Sequence, residues 1–190
     1  MSRTPKTKID TFMMIIADQN GGKSNQIRSI FEGFDLAHQY GGYPTARNIA
    51  KKYYVHPDID LYVRLSSWHE KGKQYPDVKS DLESGYIEFR RRYKVLVPAQ
   101  VTGTSALVGG ENLFIKIVSD FDIRRAYAIW LSPDRSDQRP FGLGEEFAEF
   151  MTRHRHISAL ALDSLALHPS KEPKKNSINE RLLSDLLFRT

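Results

Sequence analysis

Phe12-Met13-Met14-Ile15-Ile16-Ala17-Asp18-Gln19-Asn20-Gly21-Gly22-Lys23-Ser24 is the stretch on which the reading of this chain turns. It opens with five apolar residues in a row and closes in a polar bend with two glycines. An unbroken apolar run suits a strand covered on both faces, so Asp10 to Ala17 is predicted as a buried strand. Beyond the bend, Ile27, Ile30, Phe31 and Phe34 recur at spacings of three and four. That spacing predicts a helix from Lys23 to about Gln39, stopped by Gly41 and Gly42.

Working outward, Pro44 to Tyr53 is predicted as a short helix with proline in its first turn, and Ile59 to Leu65 alternates as a strand does. Asp77 to Glu83 opens a helix in which Ser80 and Glu83 have capping-box spacing and Leu82, Tyr86 and Phe89 share a face. Arg90, Arg91 and Arg92 suit its C-terminal end. Valine-rich Tyr93 to Val101 is a strand, Glu111 to Asp122 a helix, Arg125 to Leu131 a strand and Gly144 to Arg153 a helix. Ile157 to Asp163 is an apolar segment, a strand by preference with a helix as the alternative. Strand and helix alternate throughout, which predicts an α/β fold of three layers: a mainly parallel central sheet with helices on both faces. Residues 1–168 form the main domain in this reading. Residues 169–190 add a lysine-rich linker and a final helix, with a second capping box at Ser177 and Glu180 and an apolar stripe of Ile178, Leu182, Leu183, Leu186 and Leu187. Such a stripe serves docking on its own domain or, alternatively, a partner or a second copy.

Composition narrows the function. The 190 residues hold no cysteine, which excludes disulfides, zinc–thiolate centres and thiol nucleophiles and fits a reducing cytoplasm. No apolar run is long enough for a transmembrane helix, and the basic opening residues lead into no secretory signal segment. A net charge of +5 and a pI near 9.3 favour an anionic partner, either nucleotide phosphate or nucleic acid.

Ala17 to Ser24 fits the Walker A pattern of a small residue, four free positions and Gly-Lys-Ser. Small residues let the backbone wrap a phosphate closely, and the start of the following helix turns its positive dipole end to the same anion. On this reading Ala17, Asn20, Gly21 and Gly22 form the cradle, Lys23 reaches the β- and γ-phosphates, and the Ser24 hydroxyl meets Mg²⁺.

In these residues the chain resembles the P-loop NTPase superfamily, in detail from Phe12 to about Gln39 and elsewhere as an alternating α/β pattern. Within it the chain looks somewhat like the ATPases of plasmid partition, septum placement and conjugative mobilisation, since Val95 to Gln100, ending Pro98-Ala99-Gln100, is similar to the strand end carrying their second nucleotide motif. Two departures stand out. Those ATPases place a signature lysine after the first small residue of the loop, where this chain has Asp18. Their second motif supplies an aspartate, and Val95 to Val97 supply none. Both departures bear on hydrolysis more than on binding. The resemblance implies Mg²⁺ with ATP or GTP as cofactor, a DNA or DNA-bound protein partner, and a homodimer.

The remaining candidates are weaker patterns. Leu160-Ala161-Leu162-Asp163 has the form of a Walker B strand end, which makes Asp163 the catalytic carboxylate beside Lys23; Asp120, Asp122 and Asp134 are the alternatives. Arg124, Arg125, Arg135, Arg139, Arg153 and Arg155 could furnish the arginine lid of a small P-loop kinase that moves a phosphoryl group to a metabolite or nucleoside. His154 and His156 would share one face of a strand but have no third metal ligand. Finally, Thr45 to Trp68 has some likeness to a DNA-binding helix-turn-helix with Asp58 to Trp68 as its recognition helix, which would make the protein a DNA-binding or adaptor module without nucleotide chemistry.

Overall fold

The computed structural model describes residues 7–33, 50–84, 92–131, 143–162 and 177–188. Within them lie six strands: β1 (Lys8–Ile16), β2 (Ala50–His56), β3 (Ile59–Arg64), β4 (Arg92–Ala99), β5 (Asp122–Leu131) and β6 (Ile157–Leu162). The helices are α1 (Lys23–Gly33), α2 (Tyr75–Ser84), α3 (Gly110–Asp120), α4 (Glu145–Arg153) and α5 (Ser177–Phe188), with one 3₁₀ turn at His69–Lys71. The strands form one sheet in the order β2-β3-β4-β1-β5-β6. All neighbours are parallel except β2 and β3, which pair antiparallel as a hairpin at the edge.

Side chains of β1 alternate between two cores, and this makes the three layers. Phe12, Met14 and Ile16 face one side, with Val78 and Leu82 of α2, Leu113, Phe114 and Ile117 of α3, and Phe147 of α4. Met13 and Ile15 face the other, with Ile27, Ile30 and Phe31 of α1 and Leu183 and Leu187 of α5. Burying one large apolar side chain contributes about 1.5–3 kcal/mol, and β1 buries five in succession on two faces, so it anchors the sheet. Rings lock the first core: Phe114 lies 5.6 Å from Phe12 and 5.5 Å from Phe147, centroid to centroid. Of the apolar stripe of α5, Leu183, Leu186 and Leu187 pack into the second core beside α1, while Leu182 is exposed.

Pro98 sits in a central strand, an unusual place for a residue with no N–H to donate. Pairing of β4 with β3 ends at Leu96, so Pro98 lies past the end of that ladder. Pairing with β1 continues through Ala99.

Several local expectations are corrected. Ala50 to Tyr53 is strand, not the end of a helix begun at Pro44; Tyr53 pairs with Leu61 across the hairpin and buries its ring 5.0 Å from Phe31. Residues 44–49 and 34–39 lie outside the described residues. The helix-turn-helix reading fails for the same reason, because β3 occupies the place of its recognition helix. The Ser80–Glu83 pair caps nothing: α2 begins at Tyr75, and the Asp77 carboxylate accepts the Gln74 N–H instead. Arg92 opens β4 rather than closing a helix, while Arg90 and Arg91 lie outside the described residues. The 157–163 segment takes its strand form as β6, ending at Leu162; Asp163 is outside the described residues.

Candidate functional site

β1 sends its following helix to the face opposite those of both its neighbours, β4 and β5, and beside it a crevice opens. Helix α1, after β1, lies on one face, whereas α2, α3 and α4, after β3, β4 and β5, lie on the other. Loops leaving β1 and its neighbours therefore part at the C-terminal edge, the position where open α/β sheets bind ligands.

The turn from β1 into α1 occupies this position. Its path depends on two backbone features. Asn20 and Gly22 have positive φ of 65° and 86°, with Gly21 between them outside that region. Asparagine is the side chain that tolerates this conformation best after glycine. Gly21 is required by proximity: a Cβ there would meet the Ala17 Cβ at 2.8 Å and the Asp18 carbonyl oxygen at 3.0 Å. The Gly21 N–H donates to that same oxygen at 3.0 Å, closing the bend.

Lys23 curls back into the loop it follows. It is buried, and its Nζ donates to the carbonyl oxygens of Ala17 at 2.9 Å and Asp18 at 2.6 Å. Asn25 and Gln26 donate to the Gly22 carbonyl, so the amides of Lys23 and Ser24 stand ahead of the helical ladder. No acidic residue lies in the first turn of α1, which leaves the positive end of its dipole unopposed from within.

The loop forms one wall of an open cleft of about 760 Å³. Residues 19–25 line it together with Arg28 from the second turn of α1, and with Leu65, Glu70 and Lys71 from the segment after β3. That segment is firmly braced. The Arg64 guanidinium donates to Asp81 at 2.6 Å and lies over the Trp68 ring, whose Nε1 donates to the same carboxylate at 2.8 Å. His69 is buried between the 3₁₀ turn and the loop after β4: its Nδ1 accepts the Gln100 N–H at 3.4 Å, and its Nε2 lies 2.7 Å from the Val108 carbonyl oxygen. Those two partners select the neutral tautomer with the proton on Nε2. Burial is the largest influence holding this imidazole below the usual histidine range; the Val108 bond opposes it and the nearby Lys23 charge reinforces it.

The structure places Ala17, Asn20, Gly21, Gly22, Lys23 and Ser24 in one tight loop. It does not bring in the others. Arg124 and Arg125 reach Asp10 at the opposite edge of the sheet, at 3.3 and 3.0 Å, and Arg153 pairs with Glu149 along α4. Arg135, Arg139 and Asp134 lie outside the described residues. Asp120 pairs with Lys79 and accepts from Tyr75. His154 closes α4 and His156 lies in the following turn, rather than on a strand. No group of three histidine, aspartate or glutamate side chains suited to a metal occurs among the described residues. Nor is any helix among them long and apolar enough to cross a membrane.

Arg28, His69, Glu70 and Lys71 were not singled out from the sequence. Their signal is positional: residues just past the C-terminal end of a parallel strand converge on the crevice, but this requires knowing that β4 alone separates β3 from β1. Comparison of the chain with protein-family models, with curated proteins and with solved structures yields no match, so the chemistry of the cleft is read from its own residues.

Proposed function

We propose that this chain binds a nucleoside triphosphate with Mg²⁺ at the 17–24 loop and acts as an ATPase-type switch in plasmid partition or DNA mobilisation, in the cytoplasm. The supporting observation is the loop itself. Positive φ at Asn20 and Gly22, on either side of Gly21, is the kind of alternation that gathers successive amides into an anion-binding concavity. The start of α1 and the ammonium of Lys23 face the same bend. Three of the charged residues lining the cleft, Lys23, Arg28 and Lys71, are cationic, against the single acid Glu70.

The donor set also suits magnesium, which prefers hard oxygen ligands and keeps several of its waters. Ser24 offers a hydroxyl at the mouth of the loop. When bound, Mg²⁺ neutralises charge on the β- and γ-phosphates. Lys23 would exchange its loop carbonyls for phosphate oxygens, and Arg28 and Lys71 would face the outer end of the polyphosphate. Asp18 keeps its carbonyl in the loop, where it accepts from both Gly21 and Lys23. A small-kinase reading draws no support from Arg124 and Arg125, which bind Asp10 far from the cleft. The basic balance of the chain, +5, supports DNA or a DNA-bound protein as partner, and a homodimer is the assembly such a switch would use.

Isothermal titration with Mg²⁺-ATP and Mg²⁺-GTP tests the reading. Wild-type protein is expected to bind at least one of them, and Lys23→Ala to weaken that binding about 100-fold, or about 2.7 kcal/mol. Equal affinity in the two proteins, or no binding by the wild type, would remove the nucleotide from the account. Duplex DNA added to a hydrolysis assay then separates a DNA-stimulated switch from simple binding.

A further inference from the structure

Magnesium at a nucleotide site is held by a protein hydroxyl and a carboxylate, and β4 offers no carboxylate where one is expected. Its C-terminal end reads Pro98-Ala99-Gln100, and the Gln100 main chain is already engaged by His69 and Gly110. Most carboxylates on the surrounding elements have partners elsewhere. Asp81 takes Arg64 and Trp68, Asp77 caps α2, and Glu111 accepts from Gly144. Asp18 contributes to the loop but does not line the cleft.

Glu70 does line it. It belongs to the 3₁₀ turn, lines the same cleft as Ser24, is exposed, and its carboxylate makes no hydrogen bond or ion pair with any described residue. Its main chain is fixed on both sides: the preceding His69 is clamped between Gln100 and Val108, its own N–H donates to the Ser67 hydroxyl at 3.3 Å, and the following Lys71 N–H donates to the Trp68 carbonyl at 3.1 Å. A rigid backbone carrying an unengaged carboxylate, in a cleft otherwise lined by cations, is a specific arrangement. For an anion alone it is counterproductive, since a negative charge among Lys23, Arg28 and Lys71 weakens phosphate attraction. It becomes useful when a divalent cation accompanies the anion. Because Mg²⁺ keeps most of its waters, a carboxylate can hold it through one of them without direct ligation.

We propose that Glu70 is the metal-positioning carboxylate of this site, acting with the Ser24 hydroxyl on the Mg²⁺ that accompanies the nucleotide, in the role the sequence assigned to Asp163. The assignment rests on the nucleotide reading above. Titration of ATP into wild type and Glu70→Gln, each with excess Mg²⁺ and with EDTA, tests it. Wild type is expected to bind ATP at least about tenfold more tightly with Mg²⁺ than without. In Glu70→Gln the EDTA affinity should be equal or a few-fold tighter, since a repelling charge is gone, while the gain from Mg²⁺ falls below about threefold. Mn²⁺ paramagnetic resonance in the presence of ATP gives a second readout: the protein-dependent Mn²⁺ signal should be lost in Glu70→Gln and restored in Glu70→Asp. If the wild type binds ATP and Glu70→Gln keeps the full gain from Mg²⁺, or weakens both conditions equally, the Glu70 assignment is wrong while the nucleotide reading stands. Absence of ATP binding by the wild type in both conditions overturns the two together.

Discussion

At the N-terminal edge of the sheet, Lys94, Arg124 and Arg125 surround Asp10; at the C-terminal edge, Lys23, Arg28 and Lys71 line an open cleft. Both groups sit on or beside β1 and both are rich in positive charge. The difference lies in what answers the charge. At the first edge a carboxylate does: the fully buried Lys94 ammonium donates to Asp10 at 2.8 Å and to the Thr11 hydroxyl at 3.1 Å. At the second, the buried Lys23 donates to two main-chain carbonyls of its own loop. Each edge sets three cations against one carboxylate, so net charge does not separate them; what differs is that the cations of the first edge converge on Asp10, whereas those of the second line an open cleft together with Glu70. A count of lysines and arginines along the chain does not distinguish them.

The largest effect is expected from removing the carboxylate at the first edge. Asp10→Asn keeps the shape and leaves Lys94 buried without a counter-charge, which is expected to cost about 3–5 kcal/mol. Urea unfolding measures it. Nucleotide affinity of the folded variant should stay within about twofold, because the change is at the far end of the sheet and screened by solvent. A loss below about 1 kcal/mol would mean that water or other groups, not Asp10, stabilise Lys94.

The second test is made at the other edge and works through shape rather than charge. Gly21→Ala places a Cβ against the Ala17 Cβ and the Asp18 carbonyl oxygen, neither of which can swing aside as a flexible side chain would. The expected cost is about 1–3 kcal/mol of stability. ATP affinity should fall more than tenfold, since the bend cannot open without moving the carbonyls that hold Lys23. An alanine variant of wild-type affinity would show that the tight bend is not the phosphate cradle.

How much of this was legible in the sequence follows from how local each signal is. The β1–turn–α1 unit could be read because its apolar run, its glycines and its helical periodicity lie within about twenty neighbouring residues, and the same holds for the α/β alternation. Ala50 to Tyr53 was misread because an edge strand is defined by its partner: Tyr53 is strand because Leu61 lies across from it and Phe31 packs on it. Asp10 and Lys94 are 84 positions apart, and only the parallel register of β1 and β4 makes them neighbours. Glu70 and Lys71 reach the loop through the order β3-β4-β1, which no short window of sequence encodes. The arginines of β5 illustrate the converse, since their abundance suggested a lid while their strand position tied them to the opposite edge.

The smallest effect separates the two edges by pH. His69 is held below its ordinary range by burial, so its neutral form is the folded one. A depressed pKa of this kind contributes stability that is fully present above about pH 6.5 and is lost as pH falls through the folded value. Asp10 is also depressed: burial raises it, but Lys94 and Arg125 outweigh burial and hold it at about 2, against 3.8 unperturbed. Its contribution is present above about pH 4 and lost as pH falls toward 2. The two windows do not overlap at their upper limits, so one titration can address each edge in turn. His69→Gln retains a donor and an acceptor for Val108 and Gln100 but cannot titrate, and is expected to cost about 1 kcal/mol at pH 8. As pH drops below 6.5 the gap between wild type and variant should narrow, because only the wild type must keep an imidazole uncharged. In Asp10→Asn the gap should hold through that range and begin to close only below about pH 4. A constant gap for His69→Gln from pH 8 to pH 5 would mean that His69 is not the neutral brace of the cleft, and that the turn carrying Glu70 is held to the β4 loop by something other than that imidazole.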